Sequence, residues 1–202
     1  MFNKLGLLLV SMLLLCSGAI YASGEGDVQL MKNKLHDSSL CLVAAKSAGM
    51  RYGVDFDLLQ TISAVESGTW NKLHQAYIAW PWTVNVNGRG YYYQTRDEAV
   101  AAVKNFMSRG YKSIDVGCMQ INLKYHGEAF SSIEEAMDPF ENVKYSARFL
   151  RYLYVRNGNN WEKAAQKYHS ANDSFGSRYK KRLQHRFETY KLAGLSQGSQ
   201  LF

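Results

Sequence analysis

Asp55-Phe-Asp-Leu-Leu-Gln-Thr-Ile-Ser-Ala-Val-Glu-Ser-Gly68 is the stretch whose reading decides the fold. Read as a helix, it sets Leu58, Leu59, Ile62 and Val65 on one apolar stripe at i, i+1, i+4 and i+7. The next member of that stripe is Glu66, so a carboxyl group is aimed at the interior rather than at water. Glu66 also falls in the last turn, where the helix dipole disfavours negative charge, and Gly68 follows as the expected C-cap. Partial burial and the negative helix end both favour a neutral carboxylic acid over a carboxylate. A neutral acid is the form a general acid needs. The alternative is a helix-end glutamate that turns out to solvent, because one residue of slip re-aims the side chain.

Working outward, the chain of 202 residues is of a length for one domain, or one domain and a tail. Its 47% apolar content is ordinary for a globular protein, and with 2 prolines it has no composition for long disordered linkers. Residues 1–23 read as a signal peptide: Met1 to Lys4 is a short positive n-region and Leu5 to Leu15 an apolar core too short for a comfortable membrane span. Ser17, Gly18, Ala19, Ala22 and Ser23 supply the small residues of a cleavage region, with the cut after Ala22 or Ser23. The expected destination is export, to the periplasm or beyond, with an uncleaved membrane anchor as the alternative. A lipoprotein cut before Cys16 fits less well, because Leu14 and Leu15 precede it where small residues are expected.

Removal of the leader takes away Cys16 and Lys4. Cys41 and Cys118 remain, and the charge drops by one from the +7 of the whole chain. Two cysteines in an oxidising compartment point to one disulfide, which closes a long loop and adds roughly 4 kcal/mol in the chain-entropy picture. Two buried free thiols are the other possibility. The positive balance suits an anionic polymer or surface. No nucleic-acid-binding motif accompanies it, so nucleic acid is not the expected partner.

Residues 24–37 read as an exposed lead-in. Residues 38–52 read as a helix with Leu40, Cys41, Val43, Ala44 and Ala48 inward, ended by Gly53. Beyond the central helix, Trp82 to Val86 and Tyr91 to Tyr93 are β-type runs around Asn87-Gly88, a strong hairpin signal. This hairpin carries Trp80, Trp82, Tyr91, Tyr92 and Tyr93, suited either to stacking on sugar rings or to holding its own strands together. Thr95-Arg-Asp-Glu98 is a capping box opening a helix over 96–108. In Asp115-Val-Gly-Cys-Met-Gln-Ile-Asn122, Gly117 permits close backbone approach while Gln120 and Asn122 supply amides. Asp138-Pro139 starts a long helix to about Arg156. Asn159 and Glu162 are expected to cap a helix over 160–168, a basic helix follows over 175–192, and residues 193–202 are expected as a flexible tail. The fold class is mostly α with one inserted β-hairpin, and the main domain spans 38–192.

Three stretches stand in order: Ala64-Val-Glu-Ser-Gly68, Gly117-Cys-Met-Gln-Ile-Asn122 and Lys167-Tyr-His-Ser170. Together, from roughly Cys41 to Leu183, they resemble the lytic transglycosylases of the soluble (SLT) type, which have a lysozyme-like fold. That family carries Glu-Ser at a helix end, then Gly-Leu-Met-Gln-Ile, then Ala-Tyr-Asn. Here Cys118 stands for the Leu, Lys167 for the Ala and His169 for the Asn. The long aromatic connection and the Gly-Cys-Met-Gln run resemble a subgroup of single-domain enzymes.

The resemblance implies Glu66 as the sole catalytic acid/base and Ser67 as the residue that orients it and contacts substrate. It implies Met119 and Gln120 lining the sugar cleft, and the Tyr168 hydroxyl near Glu66. His169 leaves the third motif's sugar contact open. The implied substrate is peptidoglycan, at the β-1,4 bond between N-acetylmuramic acid and N-acetylglucosamine. Glu66 would protonate the leaving oxygen and then act as base toward the muramic acid's own 6-hydroxyl. The implied product is a 1,6-anhydro ring, with no cofactor and no metal; the histidines show no ligand spacing. Ordinary glycoside hydrolysis uses two carboxylates. Asp97, expected at a helix start, and Asp115, expected in a turn, are the residues a hydrolytic muramidase would draw on. A non-catalytic peptidoglycan-binding or assembly factor on the same scaffold is the alternative of a different class. Single-domain members of the family open the wall locally for secretion, conjugation, pilus or flagellar machines, so such a machine and a monomeric state are the expected context.

Overall fold

The computed structural model describes Gln29, Lys32, Asn33 and residues 36–199. The signal peptide expected over 1–23 and the end of the tail lie outside the described residues. Of the lead-in, the described residues are helical, and Gln29 Nε2 donates to Asn33 Oδ1 one turn on (2.9 Å). No helix among the described residues is long and apolar enough to cross a membrane.

The unit from residue 38 onward is mostly α, as expected. Helix α1 covers residues 38–52 of it and buries Cys41, Ala44, Ala45 and Ala48, while Val43, expected inward, is exposed. Helix α2 (Phe56–Ser67) is started by Asp55, whose carboxylate accepts from the backbone amides of Asp57 (2.7 Å) and Leu58 (3.2 Å). It ends at Gly68, which is extended rather than left-handed and opens strand β1. Glycine is required there for space: a Cβ would overlap the Ala64 carbonyl oxygen.

Strand β1 (Gly68–Asn71) pairs antiparallel with β2 (Ala76–Ala79). The expected hairpin forms from β3 (Thr83–Val86) and β4 (Arg89–Tyr92), with Val86 opposite Arg89. Its two turn residues, Asn87 and Gly88, both have positive φ (51° and 87°), the geometry that matches strand twist. Beyond the expected hairpin, β3 also pairs with β5 (Ile114–Val116), and β5 with β6 (Ile121–Asn122), giving a four-stranded sheet in the order β4-β3-β5-β6. These extra strands are two to four residues long and find their partners across the chain, so local patterning does not announce them.

Helix α3 (Arg96–Ser108) carries the expected Thr95 cap. Short α4 (Leu123–His126) and α5 (Ile133–Met137) follow. Helix α6 (Pro139–Arg156) starts at Asp138 with proline at N1, as expected. Helix α7 (Trp161–His169) is capped by Asn160, one residue past the expected Asn159, which has a positive φ instead. Helix α8 (Asp173–Leu192) completes the order.

Two apolar clusters result. One joins α1, α2, α6 and α8 through Leu58, Leu59, Ile62, Val143, Leu150, Tyr179 and Leu183. The other packs Trp82 and the sheet's Val84, Val86 and Val116 on α3 and α5. The hairpin's aromatic load belongs mostly to this second cluster. Trp82 is buried, Trp80 Nε1 donates to the Tyr93 carbonyl (2.7 Å), and Tyr91 sits 5.2 Å from Phe106.

Residues 195–199, within the stretch expected as a flexible tail, lie against the start of α2. The fully buried Asp57 accepts from Ser196 Oγ (2.8 Å), from the Gln197 amide through both oxygens (2.9 Å each) and from the Ser199 amide (3.2 Å). Burial alone would raise this carboxyl, but these donors outweigh it and hold it below the usual 3.8. A depressed carboxyl contributes stability that is present above about pH 4 and lost as pH falls through the folded-state value. A chain ending at Gly194 should therefore melt several degrees lower at pH 7, with the deficit shrinking toward pH 3. Equal deficits at both values would show that Asp57 is not what holds the segment.

Cys41 and Cys118 are joined, closing 77 residues of sequence separation. The bond ties α1 to the loop between β5 and β6. Cys41→Ala/Cys118→Ala should cost about 4 kcal/mol, read as a lower urea midpoint with the slope unchanged.

Candidate active site

The last turn of α2 carries Glu66 into a cleft of about 470 Å³ between the sheet and helices α6 to α8. Its side chain is 14% exposed, as the apolar stripe implied. His169, the last residue of α7, approaches it, with Nδ1 3.8 Å from Glu66 Oε1. The His169 ring lies flat on the Tyr179 ring of α8, 4.2 Å between centroids and 1° between planes.

Tyr179 is a site residue that the sequence did not single out. Burial first, then the charge of Glu66, pushes its hydroxyl well above the usual phenol range. The hydroxyl lies beside that carboxylate but short of a well-formed hydrogen bond. Its signal was the stripe Tyr179, Leu183, Phe187 and Tyr190, hidden among the positive charges of α8.

The loop from Gly117 to Asn122 is the second wall. Gly117 has φ +79°, and a Cβ there would lie 2.5 Å from Asn142 Nδ2. Asn142, fully buried on α6, donates to the carbonyls of Val116 (3.0 Å) and Ala136 (2.9 Å) and accepts from the Met119 amide (2.9 Å). Met119 itself is buried in the core, and its carbonyl accepts from the Tyr168 hydroxyl (2.8 Å). Tyr168 thus lines the cleft with its hydroxyl directed to this loop and to Ser146 Oγ (3.1 Å). Ser67 is also fully buried; its Oγ reaches the carbonyls of Cys118 (2.7 Å) and Ser63 (3.0 Å). Ser67 and Met119 therefore shape the cleft from behind it.

Gln120 lines the cleft with φ 47°. Its Nε2 donates to the carbonyls of Thr83 (3.1 Å) and Gly117 (3.0 Å), which fixes the amide plane. Asn85 and Gly88 bring the hairpin to the rim, and Arg182 closes another side, donating to the Val65 carbonyl (3.1 Å).

Asp115, expected in a turn, is instead the middle residue of β5, opposite Asn122, and lines the same cleft as Glu66. Burial raises its carboxyl; the Asn122 hydrogen bond (2.7 Å) opposes this, and the charge of Glu66 adds to the rise. Asp97 is exposed in the first turn of α3 and does not line the cleft. Lys167, which replaces the small residue of the third motif, turns outward to Asp173 (2.7 Å).

A helix-end glutamate set in a cleft between a helical body and a small sheet is the layout of a lysozyme-like, glycan-cleaving protein. The chain belongs to the Transglycosylase SLT domain family: that family's model matches residues 44–190, more than half of it. No curated protein and no solved structure gave a significant match. At the level of the family, the protein is of the lytic transglycosylase type and its substrate is peptidoglycan, outside the cytoplasm.

A carboxyl raised by burial weakens folding once the pH rises above its unfolded-state value of about 4, and costs nothing well below that, where both states are protonated. Asp115→Asn keeps an acceptor for Asn122 and removes that charge. It should raise the melting temperature by a few degrees at pH 7 and leave it unchanged near pH 3. A lower melting temperature at pH 7 would contradict this picture of Asp115.

Proposed function

We propose that the protein is an exported lytic transglycosylase that cuts the N-acetylmuramic acid–β-1,4–N-acetylglucosamine bond, with Glu66 as acid and then base. Supporting this above all is the position of Glu66: nearly buried, at the negative end of α2, in a cleft lined by fixed amides. Glu66 donates its proton to the glycosidic oxygen as the bond to the muramic C1 breaks, and N-acetylglucosamine leaves with a 4-hydroxyl. The resulting carboxylate takes the proton of the muramic 6-hydroxyl as that oxygen closes on C1. The products are a 1,6-anhydro end and a regenerated acid, and no water is consumed. Gln120 contacts the sugar beside this bond, while Ser67, Met119 and Tyr168 hold the walls that position Glu66. The enzyme works as a monomer in the periplasm, opening the wall for an envelope-spanning secretion, conjugation, pilus or flagellar machine.

Asp115 favours one second reading. A second carboxyl facing the same cleft is what a hydrolase needs to activate water or stabilise positive charge at C1. The two reactions differ by one water in their products. Mass spectrometry of digests of purified peptidoglycan, with wild type, Glu66→Gln and Asp115→Asn compared, decides between them. Anhydro ends lost by at least 10³-fold in Glu66→Gln are the expected result. Reducing muramic acid ends, lost in Asp115→Asn, would establish the muramidase. Binding of sacculi without any cleavage by wild type would leave a wall-binding factor.

A further inference from the structure

Helix α6 leaves the cleft carrying three aromatic rings on one face, Tyr145, Phe149 and Tyr152, at i, i+4 and i+7. Tyr145 and Phe149 are 6.3 Å apart with 15° between planes, and Phe149 and Tyr152 are 6.3 Å apart with 14°. The first two line the cleft and the third lies beyond it. Across the rim stands Tyr125, 71% exposed.

Core packing accounts for part of this. Tyr145 Oη is fixed by His126 Nδ1 (2.7 Å), and Phe149 packs on His126 and Tyr168. It does not account for Tyr152, 56% exposed, which continues the row outward with its ring nearly parallel to that of Phe149. The stripe covers about 10 Å of helix axis, longer than a contact for one ring. The cleft thus has Glu66, Asp115 and the Gln120 and Asn122 amides in its lining, and Tyr145 and Phe149 add aromatic rings to it.

We propose that Tyr145, Phe149 and Tyr152 form a stacking track for the uncharged pyranose rings of a glycan strand, carrying it from the cleft along α6. This rests on the glycan-cleaving reading above and extends it to the length of strand that is held. Pyranose rings offer flat C–H faces to aromatic rings and hydroxyls to water, so a row of near-parallel, half-exposed rings continuous with the cleft suits a β-1,4 glycan. The track makes long strands the preferred substrate over isolated disaccharides.

The test uses the Glu66→Gln protein, which holds strands without cutting them, and peptide-free glycan strands of increasing length. Affinity should rise with length, and Tyr152→Ala should reduce that rise by about tenfold. Tyr152→Phe, which keeps the ring, should restore it. Length dependence that survives Tyr152→Ala overturns the track and leaves the glycan-cleaving reading intact. A parent protein that binds no strand of any length overturns both.

Discussion

The site depends on one buried amide. Asn142 reaches from α6 under the Gly117–Asn122 loop and makes three hydrogen bonds to its backbone surroundings, two as donor and one as acceptor. A buried amide left without such partners costs free energy, so this loop has one position in which helix, loop and amide are all satisfied. Gly117 is the matching constraint, since no side chain fits against the amide. The loop in turn receives Ser67 from α2 and Tyr168 from α7. The end of the acid-bearing helix and both walls of the cleft are thereby referred to one knot.

Helix α2 carries a buried or nearly buried carboxyl at each end, and the two have different neighbours. Asp57, in the first turn, has the helix N-terminus behind it and three donors from the tail around it, so its charge is stabilised. Glu66, in the last turn, meets a buried phenol, a histidine and the facing carboxyl of Asp115. The first carboxyl ties the tail to the helix, and the second faces the cleft. The disulfide and the tail secure α1, the β5–β6 loop and the start of α2, around the helix that carries Glu66.

Aromatic residues serve two purposes that composition does not separate. Those of the hairpin close the small sheet lobe on α3, with Tyr92 left exposed. Those of α6 lie along the cleft and out of it. Both groups are rich in aromatic rings, Trp and Tyr in the hairpin and Tyr and Phe on α6; what differs is which of them the local geometry leaves to water.

What the sequence determined by itself is local. Asp55, Thr95 and Asp138 mark helix starts because a cap bonds only within its own first turn. Asn87-Gly88 marks the hairpin because both positions need positive φ. Glu66 could be placed inward because an i, i+4, i+7 stripe names a face. The Cys41–Cys118 pair followed from their being the two cysteines outside the expected leader. Tertiary structure alone decided the rest, because those roles depend on partners far along the chain. Asn142 looks like any helix polar residue until Gly117 comes to meet it. Tyr179 becomes a site residue only when α8 lies beside the end of α2. Asp115 enters the cleft only because β5 pairs with β3 and β6 and turns it there. Residues 195–199 are held because Asp57, buried more than a hundred residues earlier, takes donors from them beyond the one that Gln60 of its own helix supplies.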